Sequence, residues 1–577
     1  SMIIDNNSSV TIDGAYTLEM AGNLTNNGLL AAADGTLDIV GFIENNGTIN
    51  TKNTLPLRES YGGNIILSGT STQTLNGGTY NNVIVENTAG VVLASNAIVN
   101  AQGTLEIKSG TKLEIGTGRS VIANNVDNKA GTSGILIRAA QNEVNGSLVF
   151  NNTIEKPVEA TVQMYSPGYW TGTTTKTYYW QFMGIPVTKI GNVEHTFYGA
   201  FVRKYNEPGW GVTGDATNAP VKRWTQLFNG NSMYAVAGYE LVQPTQKVYT
   251  ISGSLVNADI DTTLNYTTRV TNVSGQFPGQ HILSNPYTGA IKVSDIIFGH
   301  NMDSTVYLYN TGSFGQWEAT AGNKVGSSAG QYIAAPIKTA GTGGIPGEIP
   351  SMQGFLVRTN RAETGSLYIN YNNVKTRNTT MQRARKAPAP WLRLNLQGAT
   401  TDGDVMWMFV DPETTAGHDN GWDAIKMASL AGTPMLHSIN ETGRYQINAV
   451  SDMHNTDIEF RAGATDSQYK ITIDNDNMGN VYQKFYLFDI QTGNITDITE
   501  SGTEYEFSSG TDKTLSVRFR ILTALPSTTG VQNKPDNDAV NIFSSDNYIF
   551  IDNTTNKRNY VDIYDQTGRK VKSVMSE

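Results

Sequence analysis

The side chains that most often carry chemistry are thinly spread in this chain. Six histidines, His195, His281, His300, His418, His437 and His454, stand far apart in the sequence. No two have the i, i+4 spacing that places a pair of imidazoles on one helical face for zinc, and no helical pattern is there to carry them. The chain has no cysteine, which removes disulfides, thiolate metal sites and cysteine nucleophiles together. Gly326-Ser327-Ser328-Ala329-Gly330 has the letters of a nucleophile elbow, but it lies in a Gly/Ser-rich stretch with no helix pattern after it and reads as a loop. No phosphate-binding Gly-x-x-x-x-Gly-Lys loop occurs.

Carboxylates and tryptophans leave more room. Glycoside hydrolysis needs two carboxyl groups about 5 to 10 Å apart across the sugar, and Asp38, Glu44, Glu86, Glu106 and Glu114 sit in the N-terminal quarter. They alternate with apolar positions, and Lys108 and Lys112 stand beside two of them, so they read as solvent-facing strand residues. Asp411, Glu413, Asp419 and Asp423 form an acidic stretch that could hold calcium, although the fixed acid positions and closing Glu of a calcium loop are absent and a capped turn is the plainer reading. Trp210, Trp224, Trp317 and Trp422 stand beside Gly or polar residues in expected loops, where an indole could stack on a sugar ring. The competing use for each is sandwich packing.

The elements that must position these residues are strands. Charged residues make up only 16% of 577 residues and Gly is abundant, as exposed β-structure with many turns requires. Recurrent Val, Ile, Leu and aromatic residues argue against disorder. A net charge of -10 speaks against nucleic acid or an anionic membrane as partner. No apolar run is long enough to span a bilayer as a helix. Ser1-Met2 runs at once into strand-like residues, so further repeats are expected ahead of it.

Residues 1–155 repeat. Gly22-Asn23-Leu24-Thr25-Asn26-Asn27-Gly28 returns as Gly41-Phe42-Ile43-Glu44-Asn45-Asn46-Gly47, and Gly35-Thr36-Leu37-Asp38-Ile39 as Gly103-Thr104-Leu105-Glu106-Ile107. Rungs of roughly twenty residues, made of short alternating strands with Gly/Asn corners, point to a β-solenoid. The run Gly78–Asn87, followed by Val91-Val92-Leu93 and Gly103-Thr104-Leu105, resembles the right-handed parallel β-helix repeats of large Bacteroidetes surface proteins.

Residues 156–375 become rich in aromatics. Phe182-Met183-Gly184-Ile185-Pro186-Val187 is echoed by Ile282-Leu283-Ser284-Asn285-Pro286-Tyr287, and Met352-Gln353-Gly354-Phe355 follows later. This order of "IPV", "NPY" and "QGF" phrases resembles a β-module of Bacteroidetes exported proteins. The basic, Pro-rich run Arg383–Pro390 makes 376–390 a connector. Regular short strands from Trp391-Leu392-Arg393-Leu394 onward make 391–525 a β-sandwich. Its Asp423-Ala424-Ile425-Lys426, Leu487-Phe488-Asp489, Tyr505-Glu506-Phe507 and Arg518-Phe519 continue the same family resemblance.

A polar linker, 526–538, precedes 539–577, where Ile563, Tyr564, Asp565, Gly568, Arg569 and Val571 resemble the "IYDxxGRxV" motif of the type IX secretion C-terminal sorting domain. The family's last strands are not matched. The triplets Asp261-Thr262-Thr263 and Asp303-Ser304-Thr305 resemble the short O-glycosylation sequons of such proteins.

The reading is therefore an all-β chain, with an N-terminal right-handed parallel β-solenoid followed by β-sandwich-type domains. By analogy of fold it is a secreted or surface-anchored, non-catalytic adhesin or structural protein. Its expected partners are a glycan or extracellular protein ligand and the type IX secretion machinery. A β-helix polysaccharide lyase or glycoside hydrolase, and a self-associating coat protein, are the alternatives.

Overall fold

The computed structural model describes residues 1–577 except 13–15, 32–34, 42, 46–47, 51–62, 95–97, 142, 152–155, 175–176, 208–223, 267–278, 310–330, 361–362, 375–388, 400–402, 428–431, 510–512, 526–539, 546–547, 554–557, 565–568 and 577. The expected linker, and the connector apart from its last residues, thus lie outside the described residues. The chain is nearly all β and divides into two compact units, Ser1–Ala387 with Asp419–Thr433, and Pro388–His418 with Pro434–Glu577.

The first unit opens with a parallel β-solenoid of about six turns. Its stacking follows from the period-two alternation of the sequence. Met20, Ile39, Leu67, Val85 and Ile107 fall on one another in neighbouring strands, and Leu37, Ile65, Val83, Leu105 and Val126 do the same two positions earlier. These side chains are buried, and each is worth about 1.5–3 kcal/mol relative to exposure. One position along, Glu19, Asp38, Glu106 and Asp127 point outward in the same register. Polar positions are tied rung to rung. Asn82 Nδ2 donates to Asn64 Oδ1 at 2.8 Å, Asn64 Nδ2 to Thr36 Oγ1 at 3.2 Å, and Asn82 Oδ1 accepts from the Thr104 N–H at 2.9 Å.

The parallel ladder runs on through Glu159–Ser166. That strand pairs in parallel with Ile135–Ile137 on one side and antiparallel with Lys247–Ser254 on the other. The switch in direction covers the edge that a solenoid would otherwise leave open.

The aromatic-rich module is an internal duplication. Gln181–Met183, Phe201–Tyr205, Trp224–Leu227 and Tyr239–Val242 form one antiparallel sheet in which the first strand pairs with the fourth, the fourth with the second, and the second with the third. Gln280–Ser284, Thr305–Tyr309, Tyr332–Pro336 and Gly354–Arg358 repeat this order. Each half also has a two-residue ladder in the same intervals, Lys189–Ile190 with Met233–Tyr234 and Ile291–Lys292 with Glu348–Ile349.

The two halves meet reciprocally, as in a two-fold contact. Gly184 N–H donates to Met352 O while Ser284 N–H donates to Val236 O, and Met183 bridges Gln353 while Leu283 bridges Ala237. Val236 and Met352, at equivalent positions, both have positive φ, 70° and 61°. For a β-branched residue such as Val236 this is a strained conformation, held by the contacts on either side. The echoed phrases are the strands that cross this contact. A Cβ on Gly184 would lie 1.9 Å from Ser284 Oγ, and one on Gly354 would lie 2.7 Å from Met183 N, so both positions require glycine.

In the second unit ten strands run in one continuous path, from Ile495–Asp497 through Tyr486–Asp489, Ser516–Leu522, Thr456–Arg461, Met435–Asn440, Gly443–Val450, Gly403–Val410, Trp391–Gly398 and Gln468–Asp476 to Thr503–Ser508. All pair antiparallel except Gly403–Val410 with Gly443–Val450. One core, including Leu394, Met408, Ile458, Ile471, Leu487 and Phe519, joins strands from the whole path. Val540–Ser545 with Tyr548–Asn553, and Asn559–Tyr564 with Lys570–Ser576, make two hairpins after it.

Candidate functional site

The first half of the duplicated module gathers a face of aromatic side chains around one ion pair. Two alternations in the sequence build it. Phe201, Arg203 and Tyr205 are spaced by two and share one side of the strand Phe201–Tyr205, and Tyr178, Trp180 and Phe182 have the same spacing across the junction of the strands Thr177–Tyr179 and Gln181–Met183. The Trp170 ring lies 5.4 Å from Phe201 and 6.0 Å from Tyr178, and Tyr178 lies 5.8 Å from Trp180. Arg203 joins this cluster to the next, its guanidinium 3.9 Å from the centre of Trp180 and 5.3 Å from that of Trp224. Trp224 packs on Tyr205 at 5.1 Å and on Phe182 at 6.0 Å. Phe182 then stacks on Tyr309 of the second half at 4.9 Å, and Tyr309 meets Tyr332 at 5.1 Å. Phe182 is buried, Phe201 is 37% exposed, and the other rings named are half-buried.

Beneath the rings, Glu240 is buried and pairs with Arg203 across adjacent strands. Burial pushes its carboxyl up to about 8, and the Arg203 charge opposes that rise only in part. The guanidinium is thus fixed between a carboxylate and two indoles. Such a face can take the apolar faces of sugar rings on its aromatics and offer the Arg203 edge to hydroxyl or carboxylate groups.

Of the four tryptophans singled out in the sequence, Trp224 and Trp422 are described, and they lie in different surroundings. Trp224 is in this face, but it is the first residue of a strand opposite Tyr205 and not a loop residue as expected; register fixes it there, because the hairpin ends on a cross-strand aromatic pair. Trp422 lies in a turn, with Lys338 Nζ 5.2 Å from its ring centre. Trp210 and Trp317 lie outside the described residues, as does the Gly326–Gly330 stretch. Composition marked the aromatic density here, but only the strand pairing shows that Trp170, Trp180, Arg203 and Glu240 belong to the same face.

The solenoid carboxylates are engaged by cations or a hydroxyl. Glu106 is 2.9 Å from Lys108 Nζ and also contacts Lys129, Glu86 is 3.8 Å from Lys108, and Arg138 grips Glu114 through two hydrogen bonds of 2.9 Å. Asp38 accepts from Ser68 Oγ at 2.5 Å. The Glu44 side chain lies outside the described residues. Arg138 holds the Glu114 carboxyl below the usual range.

The acidic residues expected as a calcium candidate cap turns. Asp423 Oδ2 accepts from the Asp419 N–H at 2.6 Å, and Asp411 Oδ1 from the Glu413 N–H at 2.9 Å. Among the described residues no group of three or more His, Asp or Glu side chains could hold a metal ion. The histidines stay apart. His437 is buried against Glu459 at 2.9 Å, His281 meets Asn265 O at 2.7 Å, His418 stacks near Tyr445, His454 accepts from the Thr523 N–H, and His195 and His300 are exposed. No described helix is long and apolar enough to cross a membrane.

Of the sorting-type motif, Ile563 and Tyr564 end one hairpin strand and Val571 lies in the other, with an irregularity between Ile563 and Tyr564. Arg569 and Val571 are exposed, and Asp565 and Gly568 lie outside the described residues. Of the two sequon-like triplets, Asp261-Thr262-Thr263 lies in the strand Ile260–Leu264, whereas Asp303 pairs with Arg358 at 2.7 Å and Thr305 is buried.

A parallel solenoid that runs into a duplicated antiparallel module with an aromatic face, and a second unit built on one ten-strand path, defines an all-β repeat-and-sandwich protein. Residues 71–522 match the family described as a domain of unknown function, DUF8693, and the chain belongs to that family. It is similar to the minor fimbrium subunit Mfa5 of Porphyromonas gingivalis (strain ATCC 33277), with 28% identity over 458 residues, 73% of this chain and 34% of that protein. The chain therefore spans about a third of that curated relative's length. No solved structure matches the chain.

Proposed function

We propose that the chain is a non-catalytic, surface-displayed subunit of fimbrial type that binds glycan through the aromatic face around Arg203. The observation that carries this reading is the continuity of that face. Rings from both halves of the module adjoin one another through the buried Phe182, with one guanidinium fixed among them. Similarity to a fimbrium subunit supports a cell-surface or extracellular position and assembly with other subunits. The solenoid carboxylates favour binding over hydrolysis, since Glu86, Glu106 and Glu114 are spent on lysine and arginine and Asp38 on Ser68.

The experiment is affinity measurement against a panel of neutral and acidic polysaccharides, with Trp180→Ala and Trp224→Ala beside the parent chain. Loss of one base-like or sugar-like stacking partner costs about 1–3 kcal/mol by analogy with stacking on nucleobases, so retention should fall about tenfold or more. Unchanged retention in both variants would remove the aromatic face from the account.

The export route is the type IX machinery on this reading, carried by the Ile563–Val571 motif in the final hairpin. Its test is secretion of the chain from a type IX-competent bacterium with Gly568→Ala and Arg569→Ala, against the parent. Equal secretion of parent and variants would refute the motif's part in export.

A further inference from the structure

A second polar site lies where the last solenoid rungs meet the second half of the duplicated module. A cleft open to solvent is lined from the solenoid side by Arg119, Glu143, Asn145 and Ser147, and from the module side by Thr288 and Ser351. It shares no lining residue with the aromatic face.

The two walls are rigidly built. Ser147 is in register with Ser120 on the neighbouring rung, and its N–H donates to Arg119 O at 3.0 Å. Opposite, Asn285 of the "NPY" phrase donates to Gly289 O, Ile349 O and Pro350 O at 2.9, 2.9 and 3.0 Å, which fixes the turn carrying Ser351. Thr288 Oγ1 accepts from the Leu148 N–H at 3.3 Å and donates to Leu148 O, joining one wall to the other.

Three side-chain oxygens of this lining, Asn145 Oδ1, Ser147 Oγ and Ser351 Oγ, are buried without a hydrogen-bond partner among the described residues. Ser147 is only 6% exposed. Buried polar atoms are nearly always satisfied, so three orphans around one cleft call for something polar to fill it. Arg119, a half-buried residue of the same lining, has no ion pair among the described residues. Glu143 at the rim is exposed and already accepts from Thr117 Oγ1.

From this set we infer that the cleft binds a uronic acid residue. A guanidinium is complementary to a carboxylate, and two serine hydroxyls with an amide oxygen are complementary to ring hydroxyls. A neutral sugar would leave Arg119 unmatched. A calcium ion would share the oxygens with a fixed positive charge, in a cleft with one carboxylate only.

The test is equilibrium titration of the full chain with glucuronic and galacturonic acids, with glucose, galactose and calcium chloride as comparison probes. Saturable binding of at least one uronic acid is expected, with the matching neutral sugar about tenfold weaker or more. Arg119→Gln should weaken the uronic acid about tenfold or more, and Ser147→Ala should weaken it less, with thermal unfolding unchanged because neither side chain has a described protein partner. The same loss on Arg119→Gln is expected in the Trp180→Ala background, which separates the cleft from the aromatic face. Absence of uronic acid binding, equal affinity for the neutral sugar, indifference to Arg119→Gln in either background, or calcium uptake abolished by Ser147→Ala would each overturn the assignment.

Discussion

Arg203 and Glu240 face one another across adjacent strands at the place where the second half of the module pairs Tyr307 with Leu356. The duplicated sheet therefore offers its own control. The same backbone position is filled in one half by an apolar pair, with both residues buried, and in the other by an ion pair under aromatic rings. Removing one member of a buried ion pair leaves the other charge uncompensated, whereas replacing both by apolar residues of similar volume is often neutral.

Glu240 alone should therefore matter most when it is left without its cation. Above the raised value of the Glu240 carboxyl, Arg203→Leu is expected to cost about 3–5 kcal/mol, while Arg203→Tyr with Glu240→Leu, which copies the second half, should return close to the parent stability. Because the folded carboxyl is raised, its contribution is present below the unfolded carboxylate range and is lost as pH rises through the raised value. The cost of Arg203→Leu should therefore grow from acid to alkaline pH. Denaturant unfolding of the parent, Arg203→Leu, Arg203→Tyr, Glu240→Leu and the double variant at several pH values decides this, and additive single costs in the double variant would contradict it.

The sheet of the second unit should show the opposite pH dependence. The hydrogen bond from His437, then that from Arg444, holds the Glu459 carboxyl at about 2. A lowered folded pKa gives stability that is present above the unfolded value, near 4.5, and lost as pH falls through about 2. Hydrogen exchange in Thr456–Arg461 should speed up over that acid window in the parent. Glu459→Gln should be less stable at neutral pH and should lack most of that acid dependence.

Asn285 is fully buried, and its amide serves three carbonyls while Oδ1 accepts from the Tyr287 N–H at 2.9 Å. Asn285→Ala should cost at least about 3 kcal/mol, because several buried groups lose their partners together. Ile185, at the equivalent place in the first half, has no such duty, so Ile185→Val should cost only about 0.5–1.5 kcal/mol. Thermal melts of both variants compare the two halves directly.

Solenoid rungs are coupled through their stacked aliphatics, so damage should spread to neighbours before it reaches the module. Ile65→Ala, between Leu37 and Val83, is expected to cost about 2–5 kcal/mol. Hydrogen exchange should rise in Thr36–Ile39 and Asn82–Val85 more than in Gly354–Arg358. Uniform loosening of all three segments would contradict a rung-by-rung solenoid.

Much of this fold can be read in the sequence because its signals are local. Alternation in Leu105-Glu106-Ile107 and the Gly/Asn corners are properties of neighbouring residues, and the stacked rungs follow from them. The echo between Phe182–Val187 and Ile282–Tyr287 marks the duplication, although the order of the strands, first to fourth to second to third, depends on long returns that no local pattern reveals. The candidate sites are less legible for the same reason. Arg203 and Glu240 are brought together by register, and a shift of one residue would turn both to the other side of the sheet. Trp224 reads as a loop residue until its pairing with Tyr205 is known. Ser147 and Ser351 are ordinary serines in sequence, and only the fold makes their oxygens neighbours of one cleft.

The central claim is binding without turnover. Incubation of the full chain with a panel of polysaccharides, following retention and the appearance of new chain ends in the same samples, tests it most directly. The account predicts retention of at least one polysaccharide, lost in Trp180→Ala, with no new chain ends. New chain ends accumulating with the parent chain, or retention of none of the polysaccharides, would contradict it.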